Sequence, residues 1–381
     1  MKRKFGKVYE NDWPIVAICY DFDKTLSPQD MQNFALIPKL KCDVTSFWQE
    51  SNDYAEKHGM DKILAYMRLI IEKAGNDIRI TENDFKKLGK GIELFSGVET
   101  WFERINSIAE KMGINVEHYI ISAGLREIIQ GTSIAKFFTE IYASSFAYGT
   151  YKQPIWPRQV VNYTSKTQYL FRISKDCLDL SDEDSVNEFK PDAERRIPFR
   201  NFIYIGDSET DIPAMKIVKK GGGTSIGVYN PLTGNLERVK RLLQQERIDY
   251  LMPADYSEEK KLENLVKNIL TKIKSSEALL ELNSKQNCLI SDLGIVDGFV
   301  EYTEKFLSET ELNDEQFNDV RKQAREILKQ YKKDLTDKYR GISTKQEIEL
   351  FMKEKEQAIQ DLMKSKKEEI KESKLLRQEN D

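Results

Sequence analysis

The residue types that build zinc sites and disulfide frameworks are scarce in this chain. Its 381 residues include four cysteines and two histidines. The cysteines, Cys19, Cys42, Cys177 and Cys288, stand far apart and form no Cys-x-x-Cys pair. A zinc site or a disulfide framework is therefore not expected, and the cysteine pattern favours a reducing, cytoplasmic location.

Long hydrophobic runs are missing as well. The apolar run Ile15 to Cys19 follows a basic start, but it is too short for a signal-peptide core and is followed by charged residues. No other stretch is long enough to span a bilayer. We therefore expect a soluble protein with no membrane segment.

Neither sign of charge dominates. The chain has 59 Lys and Arg against 63 Asp and Glu, a formal net charge of -4, so an obligatory nucleic-acid partner is not favoured. With 40% hydrophobic and 32% charged residues, the composition is typical of a globular protein with a highly charged surface. The length predicts two or more folded units.

Short apolar runs alternate with helical patterns over the first two thirds of the chain. Such alternation is typical of a doubly wound α/β domain built on a parallel sheet. The predicted strands are Ile15 to Tyr20, Glu117 to Ile121, Asn201 to Ile205, Ser225 to Val228 and Tyr250 to Met252. The predicted helices between them include Val98 to Met112, Leu125 to Phe138 and Thr210 to Lys219.

An insertion interrupts this alternation after the first strand. About seventy residues separate that strand from the helix predicted over Val98 to Met112, whereas a whole βαβ unit usually takes about thirty. The segments Val44 to Lys57, Lys62 to Lys73 and Asn83 to Gly89 have helical spacing, which predicts a small helical subdomain.

The chain changes character near Ser257, where Lys, Glu and helically spaced apolar residues take over. Val320, Ala324, Ile327, Tyr331 and Leu335 share one helical face, and Thr344 to Glu372 repeats the pattern. Lys355 and Lys366 interrupt that seam, so helices packed on the body, or a solvated terminal helix, are favoured over a coiled coil. The predicted division is a core of residues 1–28 and 93–256, a helical insertion of 29–92 and a helical extension of 257–381.

Two acidic clusters follow predicted strands. Asp21 and Asp23 leave the first strand, and Asp207 and Asp211 follow the strand that ends at Ile205. An isolated Asp-x-Asp is more often a turn or a helix cap, but the carboxyl ends of parallel strands are where α/β folds bind ligands. Two acidic strand ends brought side by side suit Mg²⁺.

A third predicted strand ends at Ser122-Ala123-Gly124. The Ser122 hydroxyl and the amides of this turn could hold a phosphoryl oxygen, and a helix-capping serine is the alternative.

These segments together resemble the motifs of the haloacid dehalogenase-like (HAD) superfamily, in its phosphoserine phosphatase-like branch with a helical C1-type cap. The resemblance covers roughly Ile15 to Tyr256 and implies a Rossmann-like catalytic core, with residues 29–92 as the cap. It implies phosphatase or phosphomutase chemistry, because members with dehalogenase or ion-pumping activity lack a carboxylate at the position of Asp23.

The resemblance also implies roles for individual residues. Asp21 would be the nucleophile, and Asp23 the general acid and then the base. The metal would be held by the Asp21 side chain, the Asp23 backbone carbonyl and Asp207. Asp211 is also assigned to the metal site, where it would orient a water or the motif lysine. Thr25 would support the loop, and Ser122 and the Gly124 amide would bind the phosphoryl group.

The motif lysine is predicted to be Lys166, just before the helical run Gln168 to Ile173. Lys175 and Lys152 are the alternatives, and a surface lysine is the competing interpretation. An acidic segment, Asp176 to Glu194, separates Lys166 from the next motif and is interpreted as a surface excursion.

The leading hypothesis is a phosphatase for a small phosphorylated metabolite. Phosphoserine itself is not favoured, because Asp30 stands where such enzymes carry a glutamate and Arg68 matches only by approximate distance. Aromatic residues between Tyr148 and Tyr163, including Tyr151 and Trp156, are expected to pack within a loop rather than form a rim that stacks on a base or sugar. The alternatives are a phosphatase for a macromolecule, with the C-terminal helices as a docking or self-association surface, and a non-catalytic interaction protein.

Overall fold

The computed structural model describes residues 6–74, 80–233 and 236–309, and the single residues 322, 326, 329, 330, 333 and 368. Chain contacts divide it into two compact units, Met1–Glu277 and Ala278–Asp381. The helical pattern predicted beyond residue 309 lies almost wholly outside the described residues. Among the described residues, no helix is both long enough and apolar enough to cross a membrane.

The first unit is built on a seven-stranded sheet in the order β4-β3-β2-β1-β5-β6-β7. All neighbouring strands are parallel except β3 and β4, which form an antiparallel pair. The strands are β1 (Ile15–Tyr20), β2 (Asn115–Leu125), β3 (Phe138–Tyr148), β4 (Pro154–Gln159), β5 (Phe202–Gly206), β6 (Thr224–Tyr229) and β7 (Tyr250–Pro253). The predicted doubly wound α/β fold is confirmed.

Helices cover both faces of this sheet. The α-helices are α1 (Ile37–Lys39), α2 (Val44–His58), α3 (Lys62–Ala74), α4 (Glu82–Gly89), α5 (Val98–Lys111), α6 (Arg126–Gln130), α7 (Lys166–Lys175), α8 (Glu183–Asn187), α9 (Ile212–Lys220), α10 (Leu236–Gln244) and α11 (Lys261–Glu309). Two buried apolar clusters result, one on each face. In the second unit, described residues 278–309 are helical.

The insertion after β1 is helical in its described residues, as predicted. Local chemistry fixes its helix ends: the Asp43 carboxylate accepts from the Ser46 amide at the start of α2, and Thr81 and Asp84 form a capping box at the start of α4. Gly59 ends α2 in the left-handed conformation.

The region after β2 differs from its prediction. The helix expected over Leu125 to Phe138 stops at Gln130, and strands β3 and β4 follow although neither was predicted. Gly131 lies against α4, where a Cβ atom would approach the Lys86 carbonyl oxygen to 1.8 Å. Only glycine permits this contact, so the chain turns here instead of continuing the helix.

Candidate active site

Three acidic side chains meet at the carboxyl ends of β1 and β5. Asp21 follows β1, and its backbone amide donates to the Ile205 carbonyl at 3.0 Å. Asp207 follows β5, and Asp211 lies one turn further along. One carboxylate oxygen from each lies within 4.8 Å of the other two, and all three side chains are buried.

The cation of this cluster is Lys166, the first residue of α7. Its Nζ lies 2.9 Å from Asp21 Oδ2 and 2.6 Å from Asp211 Oδ1, with no part of the side chain exposed. Of the two alternatives, Lys175 donates to the carbonyls of Val186 and Glu188, and Lys152 is exposed in the turn before β4. The structure thus brings only Lys166 of these three lysines into the acidic cluster.

The cluster carries more negative than positive charge. Burial raises the pKa of Asp21 to about 6, against the lowering effect of Lys166. Burial and then the charge of Asp211 raise the pKa of Asp207 well above its ordinary value. Asp207 Oδ2 is buried without a hydrogen-bond partner among the described residues. Buried carboxylate oxygens with unmet charge suit a hard divalent cation, so the residues fit Mg²⁺.

Asp211 is bonded more completely than Asp207. Its Oδ1 accepts from Lys166 and, at 2.9 Å, from the Tyr204 hydroxyl, while its Oδ2 accepts from the Ser208 amide and hydroxyl at 3.3 Å. These bonds favour the role of holding Lys166 over that of a direct metal ligand. Tyr204 was not predicted, because one tyrosine in a buried strand has no distinguishing sequence signal.

Asp23 lies beside the three-carboxylate cluster, but it is not one of the carboxylates whose oxygens lie within 4.8 Å of one another. Its Oδ1 accepts from the Met31 amide at 2.7 Å. Burial, then Asp30, then Asp21 raise its pKa well above the ordinary value. The metal contact predicted for Asp23 is through its backbone carbonyl. The position of its side chain does not test that contact, which stays a prediction.

The loop after Asp23 is tightly turned. Lys24 has a φ of 58° and pairs with Asp30 at 2.7 Å. Thr25 is buried, and its carbonyl accepts from the Tyr256 hydroxyl at 2.8 Å, so a residue distant in sequence holds this loop in place.

The Ser122-Ala123-Gly124 turn lies against Asp23. Ser122 is buried, and its Oγ accepts from the Gly124 amide at 3.1 Å. A Cβ atom on Gly124 would lie 2.9 Å from Asp23 Oδ2 and 2.1 Å from Met31 Cε. Glycine is therefore needed for the turn to approach the acidic loop this closely.

The insertion contacts this edge of the sheet directly. The Tyr66 hydroxyl of α3 donates to the Ala123 carbonyl at 2.8 Å, and Asn162, shortly before α7, donates to Asp61 at 3.0 Å. Tyr66 was not predicted, since it falls in the apolar stripe of its helix. Arg68 pairs with Glu72 and lies over the Tyr54 ring, so its charge is already compensated within the insertion.

The expected packing of the aromatic residues around β4 is wrong in part. Tyr151 and Trp156 are each 70% exposed and Tyr163 is 56% exposed. Trp156 lies on β4, one of the two edge strands of the sheet, and Tyr151 and Tyr163 lie before and after that strand.

Comparison with known families agrees with this fold. The family model for haloacid dehalogenase-like hydrolases matches residues 18–216, which include the acidic loops, the Ser122 turn and Lys166. The chain belongs to this family of hydrolases.

Individual relatives are distant. An uncharacterised protein of Borreliella burgdorferi is 27% identical over 281 residues, covering 66% of this chain and 95% of that protein. Among solved structures, a HAD family hydrolase from Salmonella enterica serovar Typhi has a TM-score of 0.44 at 15% identity, covering 66% of this chain and 73% of that one. A substrate-bound phosphoserine phosphatase has a TM-score of 0.42 at 15% identity, covering 66% and 97% respectively.

Proposed function

We propose that this chain is a Mg²⁺-dependent phosphatase that hydrolyses a phosphate monoester of a small metabolite through an aspartyl-phosphate on Asp21. The observation that carries the proposal is the pairing of the buried Asp21 carboxylate with Lys166 Nζ at 2.9 Å, beside an oxygen of Asp207 that has no hydrogen-bond partner in the described part of the chain. A carboxylate nucleophile divides one difficult hydrolysis into two easier steps.

Asp21, Asp207 and the Asp23 backbone carbonyl would hold Mg²⁺, which would neutralise charge on the phosphoryl oxygens. Lys166 supplies a fixed positive charge beside the nucleophile, and Asp211 holds that lysine in place. The Ser122 hydroxyl and the Gly124 amide would donate to the phosphoryl oxygens, with the amide exchanging its bond to Ser122 Oγ for one to phosphate. All these groups lie on neighbouring loops of one sheet edge, so they are already close to the positions that the reaction requires.

The first step forms a bond from Asp21 oxygen to phosphorus and breaks the ester bond. Asp23 gives its proton to the departing oxygen, for which its raised pKa is suited. In the second step, water attacks phosphorus, Asp23 takes the proton from that water, and inorganic phosphate leaves with Asp21 regenerated.

Residues 1–28 and 93–256 form the catalytic core in this proposal, and residues 29–92 form a cap over it. The contacts of Tyr66 with Ala123 and of Asp61 with Asn162 support a cap role. Phosphoserine is not favoured as substrate, because Asp30 is paired with Lys24 and Arg68 with Glu72. A cytoplasmic location accords with the cysteines being free where they are described.

A phosphatase for a macromolecule is the second candidate. It is favoured by Leu279, Leu280 and Leu282, which are 67%, 44% and 53% exposed at the start of the second unit. Deleting residues 278–381 separates the candidates. Small-ester turnover should persist in both cases, but binding to a macromolecular substrate should be lost only if that unit is the docking surface.

The direct experiment is a screen of phosphorylated metabolites with Mg²⁺, run for the wild-type chain and Asp21→Asn. The variant keeps the shape of the side chain and removes the nucleophile, so kcat should fall by about a thousandfold or more without a loss of melting temperature. Asp53→Asn, an exposed acid on α2, is the matched control and should retain turnover. Retained turnover in Asp21→Asn would rule the mechanism out.

A further inference from the structure

The peptide between Ala123 and Gly124 is not held by the sheet. In the pairing of β2 with β3, Ser122 pairs with Ala143 and Leu125 with Ser144, and the register shifts between the two pairs. Ala123 and Gly124 are therefore extra residues that bulge out of the ladder. Their peptide must be oriented by other partners.

The carbonyl of this peptide accepts from Tyr66, a residue of the insertion. The Tyr66 hydroxyl lies 2.8 Å from the Ala123 oxygen. A trans peptide is planar, with its C=O and N–H directed to opposite sides. Fixing the Ala123 carbonyl on one side therefore fixes the direction of the Gly124 N–H on the other, where it donates to Ser122 Oγ at 3.1 Å.

Tyr66 is itself firmly held. Its side chain is 2% exposed, and its ring packs edge-on against Trp48, whose indole nitrogen donates to Asn33 at 2.9 Å. The buried side chains of Ser144 and Gln32 lie near its hydroxyl. The hydroxyl thus has a fixed position relative to the bulge, which a donor that orients a backbone peptide requires.

We propose that Tyr66 is a positioning residue that fixes the Gly124 amide at the phosphate subsite, where the amide faces Ser122 Oγ in the free chain and a phosphoryl oxygen once substrate binds, so that the insertion completes the phosphate subsite as well as covering it. The inference rests on the proposed function, in which the Gly124 amide binds phosphoryl oxygen. The inference adds a role for Tyr66, a residue far from the nucleophile in sequence. Tyr66 would act on the phosphoryl group, which all substrates share whatever their leaving group.

The test is Tyr66→Phe, with Tyr142→Phe as the matched control. Tyr142 is also a buried tyrosine whose hydroxyl donates to a backbone carbonyl, that of Leu178, at 3.1 Å. Both variants lose one such bond, but only Tyr66 touches the Ser122-Ala123-Gly124 turn. The measurements are kcat/KM for several phosphate esters with different leaving groups, and inhibition by inorganic phosphate.

Tyr66→Phe should lower kcat/KM by roughly tenfold, by the same factor for every ester. It should also weaken phosphate inhibition by a similar factor, while Tyr142→Phe changes neither. Kinetics equal to those of Tyr142→Phe would overturn the inference. A loss confined to some leaving groups, with phosphate inhibition unchanged, would also overturn it, because Tyr66 would then contact the leaving group.

Gln32→Met provides a second variant if Tyr66→Phe does not fold. It removes a group that lies near the Tyr66 hydroxyl and should weaken phosphate inhibition in the same direction by a smaller factor; no change would count against the inference. A wild-type chain that hydrolyses no ester would overturn the proposed function instead. The role of Tyr66 would then be judged by thermal protection with inorganic phosphate and Mg²⁺, which Tyr66→Phe should reduce and Tyr142→Phe should not.

Discussion

Tyr20 and Asp21 are adjacent in sequence, yet they belong to two buried polar clusters of opposite character. Tyr20 belongs to a network in which every group has a partner: Trp101 donates to its hydroxyl at 2.9 Å, and the hydroxyl lies 3.1 Å from His118 Nδ1. The other ring nitrogen of His118 lies 3.0 Å from Asn106. Neutral groups satisfy one another throughout this His118 network.

Asp21 belongs to the acidic cluster, in which charge is left uncompensated. Burial raises the pKa of Asp21 and of Asp207, and one oxygen of Asp207 lacks a partner among the described residues. Glu117, another buried acid of the same sheet, shows that burial does not always leave an acid with a raised pKa. Burial alone would raise its pKa, but hydrogen bonds from Arg196 hold it below the ordinary value.

The difference between the two clusters helps to tell buried polar groups that support the fold from those that serve a function. A buried polar group that only supports the fold is usually paired, because an unpaired one costs free energy. An unpaired acidic group at the ligand-binding edge of a parallel sheet is a sign of a function that needs it. The comparison predicts that substitutions in the two clusters change stability in different ways.

Removing the cation of the acidic cluster should have the largest effect. Lys166→Met leaves Asp21 and Asp211 buried without their counter-charge, so the free energy of unfolding at pH 7.5 should fall by about 3–5 kcal/mol and turnover should be lost. Part of the stability should return near pH 5, since protonating the acids removes the uncompensated charge. Chemical denaturation at the two pH values measures this.

Lys175→Met is the control for this prediction. Lys175 lies on the same helix and donates to two backbone carbonyls rather than to carboxylates. Its replacement should cost less than Lys166→Met and spare turnover. Equal costs for the two variants would mean that the acidic cluster does not depend on its lysine.

The His118 network should show the next largest effect, as a sensitivity to acid. Burial, then Lys7, lowers the pKa of His118 from 6.5 to about 3 in the folded chain. Between these values the unfolded chain binds more protons, so stability is fully present above about pH 6.5 and is lost as the pH falls toward 3. The loss at pH 4.5 should be roughly 2–3 kcal/mol.

Chemical denaturation from pH 7 to 4.5 measures this loss as a difference between variants. His118→Gln should show a shallower decline of stability with falling pH than the wild-type chain. His58→Gln is the matched control, because the His58 side chain is exposed. A His118→Gln profile parallel to that of the wild-type chain would refute the prediction.

Sequence patterns predict continuous apolar strands better than strands that carry polar residues. The run Ile15–Tyr20 is continuous, β-branched and bounded by turn and acidic residues, which identifies a buried parallel strand. The strand Phe138–Tyr148 contains Thr139, Glu140 and two serines, so its apolar pattern is broken and it was missed. Its polar residues are accommodated by contacts distant in sequence, such as Arg126 with Glu140 at 2.7 Å.

The candidate site likewise combines residues that a sequence pattern identifies with residues that no pattern identifies. Asp21 and Asp207 are recognisable because an acid directly after a strand has a predictable position in a parallel sheet. Lys166 was predicted ahead of Lys175 and Lys152 from its position before a helical run, and the placement of α7 brings it into the acidic cluster. Tyr66 gave no signal at all, because its role depends on a bulge in β2 that no local pattern reveals. The assigned roles of all these residues stay predictions until they are measured.

The smallest effect should be the most diagnostic, because its sign is unusual for a buried substitution. Asp207→Asn removes a charge that is repelled by Asp21 and Asp211 and has one oxygen without a described partner. The metal-free chain should therefore become more stable, by about 1 kcal/mol, as measured by denaturation in a chelator.

Asp249→Asn is the control: its carboxylate accepts from the Ser225 amide and hydroxyl at 2.9 and 3.0 Å, so the same change there should destabilise. Added Mg²⁺ should stabilise the wild-type chain, by about 2.7 kcal/mol at a hundred times its Kd, and should stabilise Asp207→Asn little or not at all. If Asp207→Asn instead lost stability in the chelator, as Asp249→Asn should, the acid at the end of β5 would be a structural group and the contrast between the two clusters would not hold.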